Sequence, residues 1–279
     1  MTLSGKSRIS GVLGWPVAHS RSPALHGYWL AKHGIDGAYI PLPVAPEHFE
    51  QAARALPLLG FAGANVTLPH KEAALRLADT VEPLAKRIGA VNTLVVGADG
   101  SLAGSNTDAF GFIENLRQGA AGFTASRGPA AILGAGGSAR AVAVALLDAG
   151  ATELRLVNRT KERAQELAAA IGGPITVVDW AERAEALAGV ALLVNTTTLG
   201  MTGQKPLEIA LDALPKTAIV TDIVYAPIKT DLLQRAARRG NSVVDGLGML
   251  LHQARPGFAA WFGVMPEVTA ELRAFVEAA

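Results

Sequence analysis

The chain contains no cysteine in 279 residues. This excludes disulfides, thiolate zinc ligands and cysteine nucleophiles together, and it fits a reducing compartment. An excess of charge is also missing. The 25 lysines and arginines stand against 24 aspartates and glutamates, leaving +1. That is too little for a field that would draw nucleic acid or an acidic membrane surface. No apolar run approaches the ~20 residues that span a bilayer. The opening MTLSGKSRISGVLGWP has no apolar stretch behind its charges, as a signal peptide requires. What is present is core-forming material: 50% hydrophobic and 18% charged residues, a balance that excludes disorder. The expectation is a cytoplasmic protein of one large or two ordinary domains, with no metal, nucleic-acid or membrane partner. Assembly as a homodimer is left open.

Short apolar, β-branched runs alternate with longer alanine-rich segments. Strands are expected at Ile9–Leu13, Ala38–Leu42, Gly63–Val66, Thr93–Val96, Ala130–Leu133, Glu153–Val157, Thr176–Val178, Leu192–Asn195, Ala218–Ile223 and Val243–Val244. Helical spacing recurs in Pro46–Leu56, Ser138–Ala149, Lys161–Ala170 (Thr160 as candidate N-cap) and Thr230–Arg239, which starts on Thr-Asp and stops before Gly240. This alternation predicts α/β architecture with largely parallel strands. The glycine-rich QGAAGFTASRG, 118–128, suggests a boundary, and a continuous βαβ series follows it to about Asn241. The tail Leu247–Ala279 is helical without a strand of its own, so it must bury its apolar face on the first part of the chain. The expected domains are 1–112 with 242–279, and 113–241.

Residues 130–139, AAILGAGGSA, run from a small apolar strand into glycines and then a helix. Gly134 permits a tight turn, Gly136 lets backbone approach a pyrophosphate, and Ala139 allows close helix–strand packing. Gly134, Ala135, Gly136, Gly137 and Ser138 thus form a dinucleotide phosphate loop at a helix N-terminus. The next strand ends in Asn158-Arg159-Thr160, with Arg163 one turn later. NAD sites place a carboxylate there for the ribose 2′-OH. Asn, Arg and Thr instead donate hydrogen bonds, and guanidinium suits phosphate geometry, so the pattern favours NADP.

The remaining polar clusters fall in the first segment or at the ends of later strands. HSRSP places Ser20 and Ser22 either side of one residue, so in an extended segment both hydroxyls face one way. They would bind a carboxylate or polyol, or one would cap the following helix. In NVTLPHK, Lys71 stands just past a strand, either solvated or chemical. GAVNT and GSNTDAFG put Asn-Thr at turns, and Asp108 there is either a helix cap or a functional carboxylate. NTTTLGM and DIVYAP end two strands of the βαβ series, where ligand crevices lie.

HSRSP, NVTLPHK, GAVNT, NTDAFG, GAGGSARA, NRT, NTTTLGM, DIVYAP and DGLGMLLHQA stand in the order and spacing of shikimate dehydrogenases, which the chain resembles from Gly14 to Gly263. The resemblance implies a substrate domain with a mixed, largely parallel sheet, a Rossmann-type NADP-binding domain, and C-terminal helices returning to the first domain. It implies reversible NADPH-dependent reduction of 3-dehydroshikimate to shikimate on the chorismate route to aromatic amino acids. Lys71 then matches the family's catalytic lysine and Asp108 its aspartate partner. Ser20, Ser22, Thr67, Asn92, Tyr225 and Gln253 match substrate contacts. Gly134 to Ser138 match the pyrophosphate loop, and Asn158, Arg159, Thr160 and Arg163 the 2′-phosphate site. Ile223 and Gly246 fall where the family lines the nicotinamide pocket. One departure is visible: the family has His-Asn where this chain has His26-Gly27, which bears on local helix packing. Two other readings fit parts of the pattern, a quinate/shikimate dehydrogenase and a non-catalytic NADP-binding regulator.

Overall fold

The structure, a computed structural model, describes residues 3–279. In chain order it forms β1 (Arg8–Gly14), α1 (Ser22–Lys32), β2 (Gly37–Pro43), α2 (Phe49–Ala55), β3 (Phe61–Val66), α3 (Lys71–Leu77), β4 (Thr80–Val81), α4 (Pro83–Ile88), β5 (Thr93–Val96), β6 (Leu102–Ser105) and α5 (Asp108–Gly119). There follow β7 (Ala130–Leu133), α6 (Gly137–Asp148), β8 (Leu154–Asn158), α7 (Lys161–Ile171), β9 (Ile175–Asp179), β10 (Leu192–Asn195), β11 (Ile219–Asp222), α8 (Asp231–Arg238), β12 (Ser242–Val244), α9 (Leu247–Phe262) and α10 (Ala270–Ala278). Two compact units result. One runs up to Thr107 and takes in Leu250–Ala279; the other is Asp108–Met249. The second unit therefore begins with α5, which packs on α6 and whose Asn115 Nδ2 donates to Asp245 O at 2.7 Å.

The first unit holds a six-stranded sheet in the order β2-β1-β3-β5-β6-β4. The β1–β2, β1–β3 and β4–β6 pairs are parallel, while β3–β5 and β5–β6 are antiparallel. Two strands were not expected from sequence. β4, Thr80-Val81, is β-branched but only two residues long, too short for an alternation to register, and β6 reads Leu-Ala-Gly-Ser without a β-branched side chain. They exist because neighbours pair with them. Alternate residues of β3 face opposite ways. Ala64 and Val66 join Leu13 in a core with Phe49, Ala53, Ala74 and Ala85 of the helices. Gly63 faces the C-terminal helix α9. There the wholly buried Trp261 donates its indole N–H to Leu94 O at 3.0 Å. A Cβ on residue 63 would stand 2.3 Å from that indole nitrogen and 2.1 Å from Leu94 O, so only glycine fits.

Helix α1 carries Pro in its first turn, as expected. His26 is fully buried against Tyr39, Trp29, Phe258 and Trp261. Gly27 is exposed, and a Cβ there would meet nothing, so the missing asparagine leaves helix packing untouched. The expected helix Pro46–Leu56 is divided: a 3₁₀ turn at Pro46–His48 precedes α2.

The second unit is a parallel sheet in the order β12-β11-β10-β7-β8-β9, a Rossmann arrangement. Every residue of β7 and β10 is buried, as central parallel strands require. Thr230 caps α8 by accepting from Leu233 N. Thr160 sits at the N-cap of α7 with extended backbone, but its side chain makes no capping bond.

Asp222, at the end of β11, is completely buried. Its carboxylate accepts from Val224 N at 3.0 Å, Asn195 Nδ2 at 2.9 Å and Thr230 Oγ1 at 2.7 Å, tying the segments after β10 and β11 to the start of α8. Burial nevertheless outweighs these three donors and raises its pKa from 3.8 to about 6. Below 3.8 the folded and unfolded chains are both protonated here. As pH rises towards about 6 the unfolded chain releases this proton first, so stability is lost across that window, up to about 3 kcal/mol. Urea denaturation of wild type and Asp222→Asn between pH 4 and 7 should show this decline in the wild type, with the variant lacking that component.

Candidate active site

The loop between β7 and α6 is shaped by two glycines. Gly134 has φ +112°, and a Cβ on it would stand 2.6 Å from Thr196 Oγ1, which itself donates to Leu133 O at 2.6 Å. A side chain is excluded there twice, by conformation and by space. Gly136 is the N-cap of α6 with extended backbone, is exposed, and faces open space where a Cβ would be. Ala135, Gly137 and Ser138 are partly exposed, and Ala139 is buried against the sheet. An α-helix N-terminus with amide groups approachable past a glycine fits a pyrophosphate. At the end of β8, Asn158 Nδ2 donates to Thr160 O at 2.7 Å and braces the turn. Arg159, Thr160 and Arg163 are exposed, and Asn158–Lys161 contain no carboxylate. This donor set suits a ribose 2′-phosphate.

On the other side of the same sheet, Ile223 follows β11 and Gly246 precedes α9. A Cβ on Gly246 would lie 2.4 Å from the Ile223 carbonyl, so these two backbones touch. Tyr225 is partly exposed in the same segment, one residue past Val224, whose amide is held by Asp222.

In the first unit, backbone and side-chain bonds draw three distant motifs together. Val91 N donates to Lys71 O at 3.0 Å, and Val66 N to Asn92 O at 2.8 Å. Asn92 Oδ1 accepts from Thr107 N at 2.9 Å, fixing the residue just before Asp108. Thr67, partly exposed, is placed by its amide bond to Leu13 O. Lys71 is partly exposed as the first residue of α3, and Asp108 is buried as the first residue of α5. Gln253 lies on α9, where its Nε2 donates to Leu250 O at 3.0 Å. The Ser20–Ser22 segment differs from the extended form expected. Arg21 is helical (φ −84°, ψ −3°) and Ser22 opens α1, so alternation does not set the two hydroxyls. Instead Ser22 N donates to Ser20 Oγ at 3.3 Å, which closes a local turn.

Sequence patterns pass over two buried polar side chains beside these residues, Asn65 and Tyr39. Asn65 lies inside NVTLPHK and Tyr39 in the expected strand Ala38–Leu42, and spacing alone singles out neither. Among the described residues no group of three or more His, Asp or Glu is placed to hold a metal ion, and no helix is long and apolar enough to cross a membrane.

Two family patterns cover most of the chain. The one described as shikimate dehydrogenase substrate binding domain matches residues 12–94, and that described as shikimate / quinate 5-dehydrogenase matches residues 120–224. A curated relative from Paramagnetospirillum magneticum, named shikimate dehydrogenase (NADP(+)), is 68% identical over 98% of this chain and 99% of its own. Among solved structures, shikimate 5-dehydrogenase of Thermus thermophilus, in complex with NADP(H) and shikimate, has 39% identity and a TM-score of 0.86 over 97% of both chains. Quinate dehydrogenase of Corynebacterium glutamicum in complex with NAD has 31% identity and a TM-score of 0.90, covering 98% of this chain and 99% of its own. With both units matched and identity sustained along the whole length, this chain belongs to the shikimate dehydrogenase family.

Proposed function

We propose that the protein is an NADP-dependent shikimate dehydrogenase, an oxidoreductase that interconverts 3-dehydroshikimate and shikimate on the chorismate route to aromatic amino acids. The observation that carries this reading is near full-length identity to relatives whose name specifies both the activity and NADP(+). The glycine-shaped loop before α6 and the carboxylate-free turn after β8 support the cofactor choice. Quinate dehydrogenase with NAD is the second reading, favoured by the likeness to the Corynebacterium structure. The arginine in place of an acid after β8 opposes it.

NADPH, when bound, supplies the hydride that reaches the ketone carbon. The ketone oxygen gains negative charge as this happens and must take a proton. An ammonium at that oxygen both stabilises the charge and supplies the proton, and this is the role assigned to Lys71. Asp108, a buried carboxylate at the start of α5, is assigned to keep Lys71 oriented. In the reverse direction Lys71 takes the hydroxyl proton, so it must first release its own. Ser20 and Ser22 are assigned to the substrate carboxylate, with Tyr225 near it. Thr67, Asn92 and Gln253 are assigned to the remaining polar edge of the ring. Gly134 to Ser138 hold the pyrophosphate, Asn158, Arg159, Thr160 and Arg163 the 2′-phosphate, and Ile223 with Gly246 flank the nicotinamide. Residues 1–112 with 242–279 are assigned to substrate and catalysis, and residues 113–241 to cofactor.

Steady-state assays with shikimate and quinate, each with NADP+ and NAD+, should give the highest kcat/KM for shikimate with NADP+; turnover only with quinate and NAD+ would reverse the assignment. Lys71→Ala and Asp108→Asn should each lower kcat by about 10²–10⁴-fold, with the KM for NADP+ little changed. Normal turnover by Lys71→Ala sinks its role. Arg159→Ala should raise the KM for NADP+ by about tenfold or more, as expected for a lost charge-assisted bond, and leave that for NAD+ nearly constant. An equal loss with both cofactors would remove the 2′-phosphate argument.

A further inference from the structure

The first unit contains a buried polar relay that none of the assigned roles uses. Tyr39, on the edge strand β2, is buried, and its hydroxyl donates to Asn65 Oδ1 at 2.6 Å. β1 lies between β2 and β3, so the phenol spans a whole strand to reach Asn65. From Asn65, Nδ2 donates to Asn92 O and to Thr93 Oγ1, both at 3.2 Å. Thr93 Oγ1 in turn donates to Asn92 Oδ1 at 2.9 Å. That oxygen also takes the Thr107 amide, so the chain of bonds decides which end of the Asn92 amide is the acceptor. The amide's N–H₂ end is thereby defined as the donor, with Thr107 Oγ1 at 3.1 Å as one of its acceptors.

The phenol is itself held by packing. The His26 ring stacks on Tyr39 with centroids 3.9 Å apart and planes 1° from parallel, and Trp261 closes a tilted side at 6.0 Å. Neither His26 ring nitrogen has a hydrogen-bond partner among the described residues. Burial lowers the His26 pKa to about 3, so the plate against Tyr39 is neutral at working pH. A strand residue with its ring clamped between aromatics has one use left for its polar atom, and here that atom fixes Asn65, which holds the Asn92–Thr93 segment of the assigned substrate site.

We propose that Tyr39 is a positioning residue of the substrate site. Through Asn65 and Thr93, one buried phenol oxygen sets the orientation of the Asn92 amide at the polar edge of the substrate ring. The ligand class this geometry serves is a small ring compound whose hydroxyl meets the oriented Asn92 amide. The proposal rests on the substrate assignments above.

The test is Tyr39→Phe, which keeps the stacked ring and removes only the oxygen. Shikimate and NADP+ kinetics should be measured beside wild type, with thermal melting as a control for folding. The expected result is a KM for shikimate about tenfold higher, the size of one lost hydrogen bond, and a KM for NADP+ within about twofold of wild type. A loss of packing alone would lower the melting temperature or raise both KM values together, and either pattern without the shikimate-specific rise overturns the proposal. So does an unchanged KM for shikimate. If Tyr39→Phe does not fold, Thr93→Val breaks the same relay at its other end and should show the same split. Wild type that fails to turn over shikimate overturns the substrate assignment and the proposal with it. Wild-type turnover with an unchanged variant overturns the proposal alone.

Discussion

The first unit depends on a single indole. Trp261 comes from α9, near the C-terminus, and its N–H is bonded to Leu94 O in the middle of the sheet. It reaches that carbonyl only because residue 63 has no side chain. Its own carbonyl accepts from Arg8 at 3.0 Å, so the contact ties α9 to the beginning of the chain as well. A buried indole must find an acceptor, and its large apolar face must be covered. Both demands are met at one point. The aromatic group around it, His26, Trp29, Tyr39 and Phe258, then fills the same face of the sheet. Gln253, two turns earlier on α9, is delivered as a consequence of the same docking.

The second unit uses related constraints at its strand ends. The Gly134 turn leaves room for Thr196, and Thr196 closes on Leu133. Asn195 divides its side chain between Asp222 and the Thr197 amide, and Asp222 also holds Val224 and Thr230. The loops after β7, β10 and β11 are therefore fastened to one another by short polar side chains. A carboxylate with three donors and no solvent holds these loops firmly, yet burial still disfavours its charge. Rigid loops on the ends of parallel strands are what a dinucleotide site needs.

Much of this was legible in the residues. β1, β3, β7, β10 and β11 are apolar and bounded by turn residues, and burial on one or both faces is written in such runs. The phosphate loop was legible because a glycine there answers a steric demand that no other residue meets. Other features were not. β4 is too short, and β6 too poor in β-branched residues, to register as strands, and both form where neighbours pair with them. Ser20 and Ser22 read as an extended pair, yet the segment turns at Arg21 into the start of α1. Thr160 occupies a capping position without making the bond, while Asn158 braces that turn instead. Asn65 and Tyr39 lie inside expected strands and are not singled out, because a polar side chain on a buried strand shows its purpose only through its partners.

The sequence by itself determined the α/β class, the glycine turn before α6, the absence of an acid after β8, and the order of motifs that marks the family. The first three are local properties, set by side-chain size, charge or periodicity within a few residues, and the fourth is a succession of such local motifs along the chain. Tertiary structure alone decided which distant polar groups meet. Tyr39, Asn65 and Asn92 lie far apart along the chain and share no pattern, yet in the folded sheet a chain of hydrogen bonds joins them. A hydrogen bond acts over about 3 Å, and such proximity between remote residues is created by strand order, which no local signal encodes.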